Sequence, residues 1–155
     1  MIRVEKVLED TFKDVQLEGL DSLKFGYGDE KELDAVILGN KRKQMYPLLW
    51  YVMPNSVTIK DPYAEGTFNF ILAHNTKLDW FNDQRFNKVY DAVLFPYLDE
   101  VIRLLGRSRR IMHNDEYTTT NYPNYSKDLI KSEKPEYWDA IELSIALKIN
   151  NGNNC

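Results

Sequence analysis

The chain reads as an α+β domain: an antiparallel sheet of about four to five strands, with an N-terminal helix and one long helix packed on one face. Two stretches carry that expectation. In residues 82–106 the apolar side chains Phe86, Val89, Tyr90, Val93, Leu94, Tyr97, Leu98, Val101 and Leu105 recur at steps of three and four. This spacing gathers them on one stripe of a helix, roughly 100° wide, that must be covered. In residues 137–149 the period is two, with Tyr137, Asp139, Ile141, Leu143, Ile145, Leu147 and Ile149 on one side. Trp138, Ala140, Glu142, Ser144, Ala146 and Lys148 take the other side, the pattern of a half-buried strand.

The remaining elements follow in chain order. Val4, Val7, Leu8, Thr11, Phe12 and Val15 predict an amphipathic helix over about 2–17, with Gly19 as its stop. Leu23, Phe25 and Tyr27 alternate with Lys24 and Gly26 as a short strand, and Asp29 is placed to cap a brief helix through EKELDAVIL. After the basic turn NKRKQ comes YPLLWYVMP at 46–54, apolar in both alternating sets. Such a strand is covered on both faces, or keeps one face for a partner chain. Residues 55–66 form an extended arm or hairpin with a turn at Asp61-Pro62, and 67–74 a strand feeding the long helix. Asp79 or Asn82 is the expected N-cap of that helix, and Pro96 inside it predicts a bend. Residues 107–136 are polar and weakly patterned, a long loop of the kind that serves interaction, with a β-prone YTTTNY patch inside it. One domain over 1–150 and a frayed 151–155 tail complete the expectation.

Composition narrows the function. The chain has 155 residues and a formal charge of −4, which argues against wholesale wrapping of nucleic acid. Its single cysteine, Cys155, has no internal partner, so a disulfide scaffold is excluded. The opening MIRVEKVLED lacks the apolar core of a signal peptide, and the longest uncharged apolar run is about half of what a membrane helix needs. No membrane partner is expected. The phosphate-loop, dinucleotide, serine-hydrolase and zinc-protease signatures are missing, and His74 and His113 have no second ligand at metal spacing. No enzyme activity, metal or cofactor is therefore expected. The aromatic content is 13%, with ten Tyr, and Tyr and Trp suit surfaces that become interfaces. Tyr46, Trp50, Tyr51, Tyr63, Tyr117, Tyr122 and Tyr125 are the candidate interface residues. Arg103 and Arg107 complement the dipole at the end of the long helix, while Arg109 and Arg110 lie beyond it; Arg107, Arg109 and Arg110 are the candidate contacts to DNA or an acidic partner. Asp79 and Asp83 can be read as a carboxylate pair of a metal-dependent nuclease, or as dipole-complementing acids. A third reading is a module that docks a peptide strand along the sheet edge next to YPLLW.

Three segments, YPLLWYVMP, GTFNFILAHNTKLDW and RFNKVYDAVLFPYLDEVIRLL, together resemble small neck and tail-completion proteins of bacteriophages, particularly those of Bacteroides-type hosts. The fold the resemblance implies is that of the tail terminators, where a sheet carries a long helix between its middle strands. It further implies a structural virion subunit without an active site, made in the host cytoplasm. Its partners would be copies of itself in a six- or twelvefold ring, adjacent neck, portal or tail proteins, and genomic DNA passing through the lumen without sequence recognition. The long 107–136 segment departs from simple terminators and leaves terminator and other neck ring both open.

Overall fold

A computed structural model describes residues 3–29, 31–33, 46–53, 55–76, 80–123 and 138–150. Expectations for most of the brief helix after Asp29, for the basic turn, for Asp79, Tyr125 and Tyr137, and for the 151–155 tail fall outside them. At its start Asp29 does act as a cap, with its Oδ1 accepting the Glu32 N–H at 2.8 Å.

The first helix, α1 (Val4–Phe12), buries Val4, Val7, Leu8 and Phe12. It stops earlier than the apolar spacing predicts: the Lys13 N–H closes the last turn on the Glu9 carbonyl, and Asp14 then takes φ 60°, a left-handed conformation that Asp tolerates. Val15 is buried although it lies past the helix, so the spacing described a buried edge and not a longer helix.

Six strands follow: β1 (Lys24–Gly28), β2 (Leu48–Val52), β3 (Thr58–Lys60), β4 (Tyr63–Asn75), β5 (Ile111–Tyr122) and β6 (Trp138–Asn150). They lie side by side as β1-β2-β4-β6-β5, with β3 paired to the start of β4 on the same edge that β2 uses further along. The sheet is mixed, because β1 runs parallel to β2 while the other pairs are antiparallel. The 55–66 arm is thus the β3–β4 hairpin, turning at Asp61-Pro62 as the sequence predicts. The expected loop over 107–136 is corrected in its first half: Ile111–Tyr122 is a twelve-residue strand at the sheet edge. Its high β propensity (YTTTNY) outweighs the lack of apolar alternation.

Between β4 and β5 lies the long helix α2 (82–107), made of a first turn Asn82–Arg85, a π-helical segment Phe86–Leu94 and an α-helical segment Phe95–Arg107. The N-cap is Phe81, whose backbone N–H donates to the Gln84 side chain at 3.1 Å, in place of the expected Asp79 or Asn82. Pro96 falls in the first turn of the α-helical segment, directly after the Phe95 N–H bonds the Tyr90 carbonyl five residues back. The chain meets the proline with widened turns, so its missing donor falls at a change of hydrogen-bond pattern.

Helices and sheet share one large core. Leu49, Tyr51, Phe68, Phe70, Leu72, Ile141, Leu143, Ile145, Leu147 and Ile149 from the strands meet Val89, Tyr90, Val93, Leu94, Tyr97, Val101 and Leu105 from α2. A smaller cluster of Leu33, Tyr46, Leu48, Trp50, Ile71, Ala73, Trp138 and Ala140 lies on the opposite face. β2 is therefore buried on both sides, as its doubly apolar sequence requires.

Candidate interaction surface

Three of the aromatic residues predicted for an interface are core residues of the monomer. Trp50, 4% exposed, lies across β1, where its indole N–H donates to the Gly28 carbonyl at 3.0 Å. A Cβ at Gly26 would stand 2.6 Å from the Trp50 ring, so the Gly26-Tyr27-Gly28 segment makes room for the indole. Tyr51 packs against Phe68 and Phe70 with ring centres 5.6 and 5.8 Å apart, and its hydroxyl accepts from the Asn55 amide. Tyr46 is buried edge-on to His74. Their place in the interface prediction is corrected: the apolar faces of 46–54 are covered by this chain itself. The sheet edge next to YPLLW is likewise occupied, since β2 lies between β1 and β4.

Tyr63 is half-buried, with the Lys148 ammonium 5.3 Å above its ring. The same lysine and Lys60 pair with Glu65 at 3.1 and 3.5 Å, and the hydrogen bond from Lys148 is the main cause holding the Glu65 carboxyl below its ordinary value. Lys60, Glu65 and Lys148 line an open groove of about 610 Å³ between the β3 hairpin and the start of β5.

Tyr117 and Tyr122 are exposed on β5, 44% and 38% respectively. Residues 114–122 are exposed without a break, so this half of the strand is buried on neither face. A register shift between His113 and Tyr117 marks a bulge that carries Asn114, Asp115 and Glu116. Beyond it, Tyr117 to Tyr122 pair with Ile145 to Ala140 of β6, and among the described residues β6 is the sole strand partner of β5.

The arginines divide. Arg107, the last residue of α2, and Arg109, just past its end, are exposed. Arg110 is half-buried, 3.7 Å from Asp10, and its carbonyl accepts the Asn150 N–H at 2.7 Å. It ties α1 to the start of β5 and the end of β6, a structural duty the sequence did not reveal. Asp83 is exposed in the first turn of α2, where the helix dipole accounts for it. Among the described residues no group of three or more His, Cys, Asp or Glu is placed to hold a metal ion, and no described helix is long and apolar enough to cross a membrane.

Two further buried polar sites were not singled out in sequence. Arg85 and Asp139, both almost fully buried, face each other at 4.0 Å between the start of α2 and the start of β6. The signal for them was present: Asp139 belongs to the apolar set of its strand, and Arg85 stands four residues before Val89 on the buried stripe. Nearby the Tyr90 hydroxyl donates to the Ala140 carbonyl at 3.1 Å, and burial, then the Asp139 carboxylate, push its pKa upward. At the other end of the core the Tyr97 hydroxyl donates to the Asp21 carbonyl and accepts the Leu17 N–H, pinning the loop after α1.

No protein-family model matches the chain, and no curated protein matches it.

Proposed function

We propose that the chain is a structural virion subunit that assembles with copies of itself into a ring at the head–tail joint of a bacteriophage, as a neck ring or tail terminator. The observation that carries the reading is β5. A domain that covers both faces of β2 internally still exposes nine consecutive residues of its strand β5, two of them Tyr. A surface of this kind suits repeated chain-to-chain contact. The arrangement of a sheet with a long helix inserted between its strands supports the same reading through the resemblance of the three quoted segments.

In this reading the ring is six- or twelvefold, adjacent neck, portal or tail proteins dock on its two sides, and DNA passes through the lumen. Arg107 and Arg109 are exposed basic groups within reach of phosphate, and contacts of this type carry no sequence information. Gold-labelled antibody against the chain, applied to purified particles, tests the placement. Label at the head–tail joint is expected; particles without label or signal would overturn the reading.

A further inference from the structure

We infer that copies of the chain meet head to tail, with Phe81 of one copy seated in the groove between the β3 hairpin and the start of β5 of the next. The inference rests on the proposed self-association and specifies one contact within it. Phe81 is 81% exposed, although it is a large apolar side chain. Its backbone is held on both sides: its N–H donates to the Gln84 side chain at 3.1 Å, and its carbonyl accepts the Arg85 N–H at 3.1 Å. Beside it the Lys88 ammonium lies 4.9 Å from the centre of the Trp80 ring. The phenyl ring therefore stands out from a tethered helix start. An aromatic side chain on a backbone already fixed has little ordering left to lose, which is what an interface anchor requires.

The groove has the chemistry to take that ring. Glu65, Thr67, Ala146 and Lys148 alternate along β4 and β6 with the core residues Ala64, Phe68, Leu147 and Ile149, so they stand on the sheet face turned away from α2. An open face of this kind is ordinarily polar, and Met112 departs from the pattern at 51% exposed. A thioether and an ammonium group both attract an aromatic ring, and Lys60 and Lys148 share the groove with Met112. Charge agrees: the two lysines outnumber Glu65, and Asp83, exposed two residues after Phe81, brings a carboxylate with the ring. The two surfaces lie at opposite ends of the sheet. The groove is at the start of β4 and the end of β6, whereas Phe81 is one helical turn before Arg85, which meets Asp139 at the other end. The strand from Thr67 to Asn75 alone spans about 26 Å at about 3.3 Å per residue, so the ring reaches the groove of another copy and not its own. A contact between two different surfaces is heterologous, and it closes into a ring when the rotation allows.

The test uses two variants of the full chain, each damaged on one surface only. Phe81→Ser removes the ring and keeps the groove, while Met112→Glu keeps the ring and places a carboxylate in the groove against Asp83. In sedimentation equilibrium the wild-type chain is expected to associate, and each variant alone roughly tenfold or more weakly. The equimolar mixture is expected to recover pairs, because Met112→Glu supplies the ring and Phe81→Ser the groove, and these pairs do not extend further. Both positions are exposed, and circular dichroism melts check that each variant folds. A wild-type chain that stays monomeric, variants that associate as well as wild type, or a mixture that does not recover pairs would each overturn the inference. Wild-type chains that extend without closing, with both variants behaving as expected, would sink the ring reading alone. A closed ring indifferent to both substitutions would sink the contact alone.

Discussion

Gly26 and Trp50 show what a single atom decides in this fold. An alanine at position 26 would put its methyl carbon 2.6 Å from the indole ring, with strand pairing to Trp50 leaving little room to give. Gly26→Ala is expected to destabilise the chain by about 1–3 kcal/mol, read as a lower urea midpoint at unchanged slope. His74 gives the pH dependence. Burial pushes its imidazole down to about 4, against a smaller upward pull from Asp21. The unfolded chain takes up this proton near its ordinary value of about 6.5. Stability from this group is therefore complete above that pH and is lost progressively as pH falls toward 4, by up to about 3 kcal/mol. His74→Gln should flatten the fall between pH 6.5 and 4 in urea melts; an unchanged slope would show that other groups carry it. At this scale the sequence was least informative. It marked Trp50 and Tyr51 as large and apolar on alternating sides, but alternation does not say whether the cover comes from the same chain or another.

The elements were more legible, and their departures have local causes. The buried stripe of α2 holds from Phe86 to Leu105, because period and apolar type together leave few alternatives to a packed helix. The way its hydrogen bonds widen before Pro96 was not legible, since the same spacing fits either pattern. It leads to a specific expectation. In an ordinary helix interior a proline costs roughly 3 kcal/mol, and its removal should return most of that. At this boundary the α-helical segment begins with Pro96 in its first turn, where a missing donor matters least. Pro96→Ala should thus change stability by less than about 1 kcal/mol, checked by thermal and urea unfolding; a gain near 3 would mean that the proline is strained. β5 is hard to tell from loop for the opposite reason: its exposed half, 114–122, has no apolar period to show, and β propensity in YTTTNY is its signal.

For the molecule as a whole, fold class, the central place of α2 and the last strand could be read from periodicity, while strand direction could not. β1 and β2 run parallel, which needs a crossover of a dozen or more residues. The distance from Gly28 to Leu48 allows such a crossover, but length alone does not exclude an antiparallel return. Function is a step further from the sequence, because none of the common catalytic motifs is present and the proposal rests on exposed surface such as that of β5. Its central claim is closed self-assembly. Light scattering coupled to size exclusion, on the full chain alone and mixed with the products of neighbouring genes, tests it most directly. The account predicts a discrete species at six or twelve times the 18.3 kDa chain mass. A chain that keeps its monomer mass at every concentration and with every neighbour would contradict it.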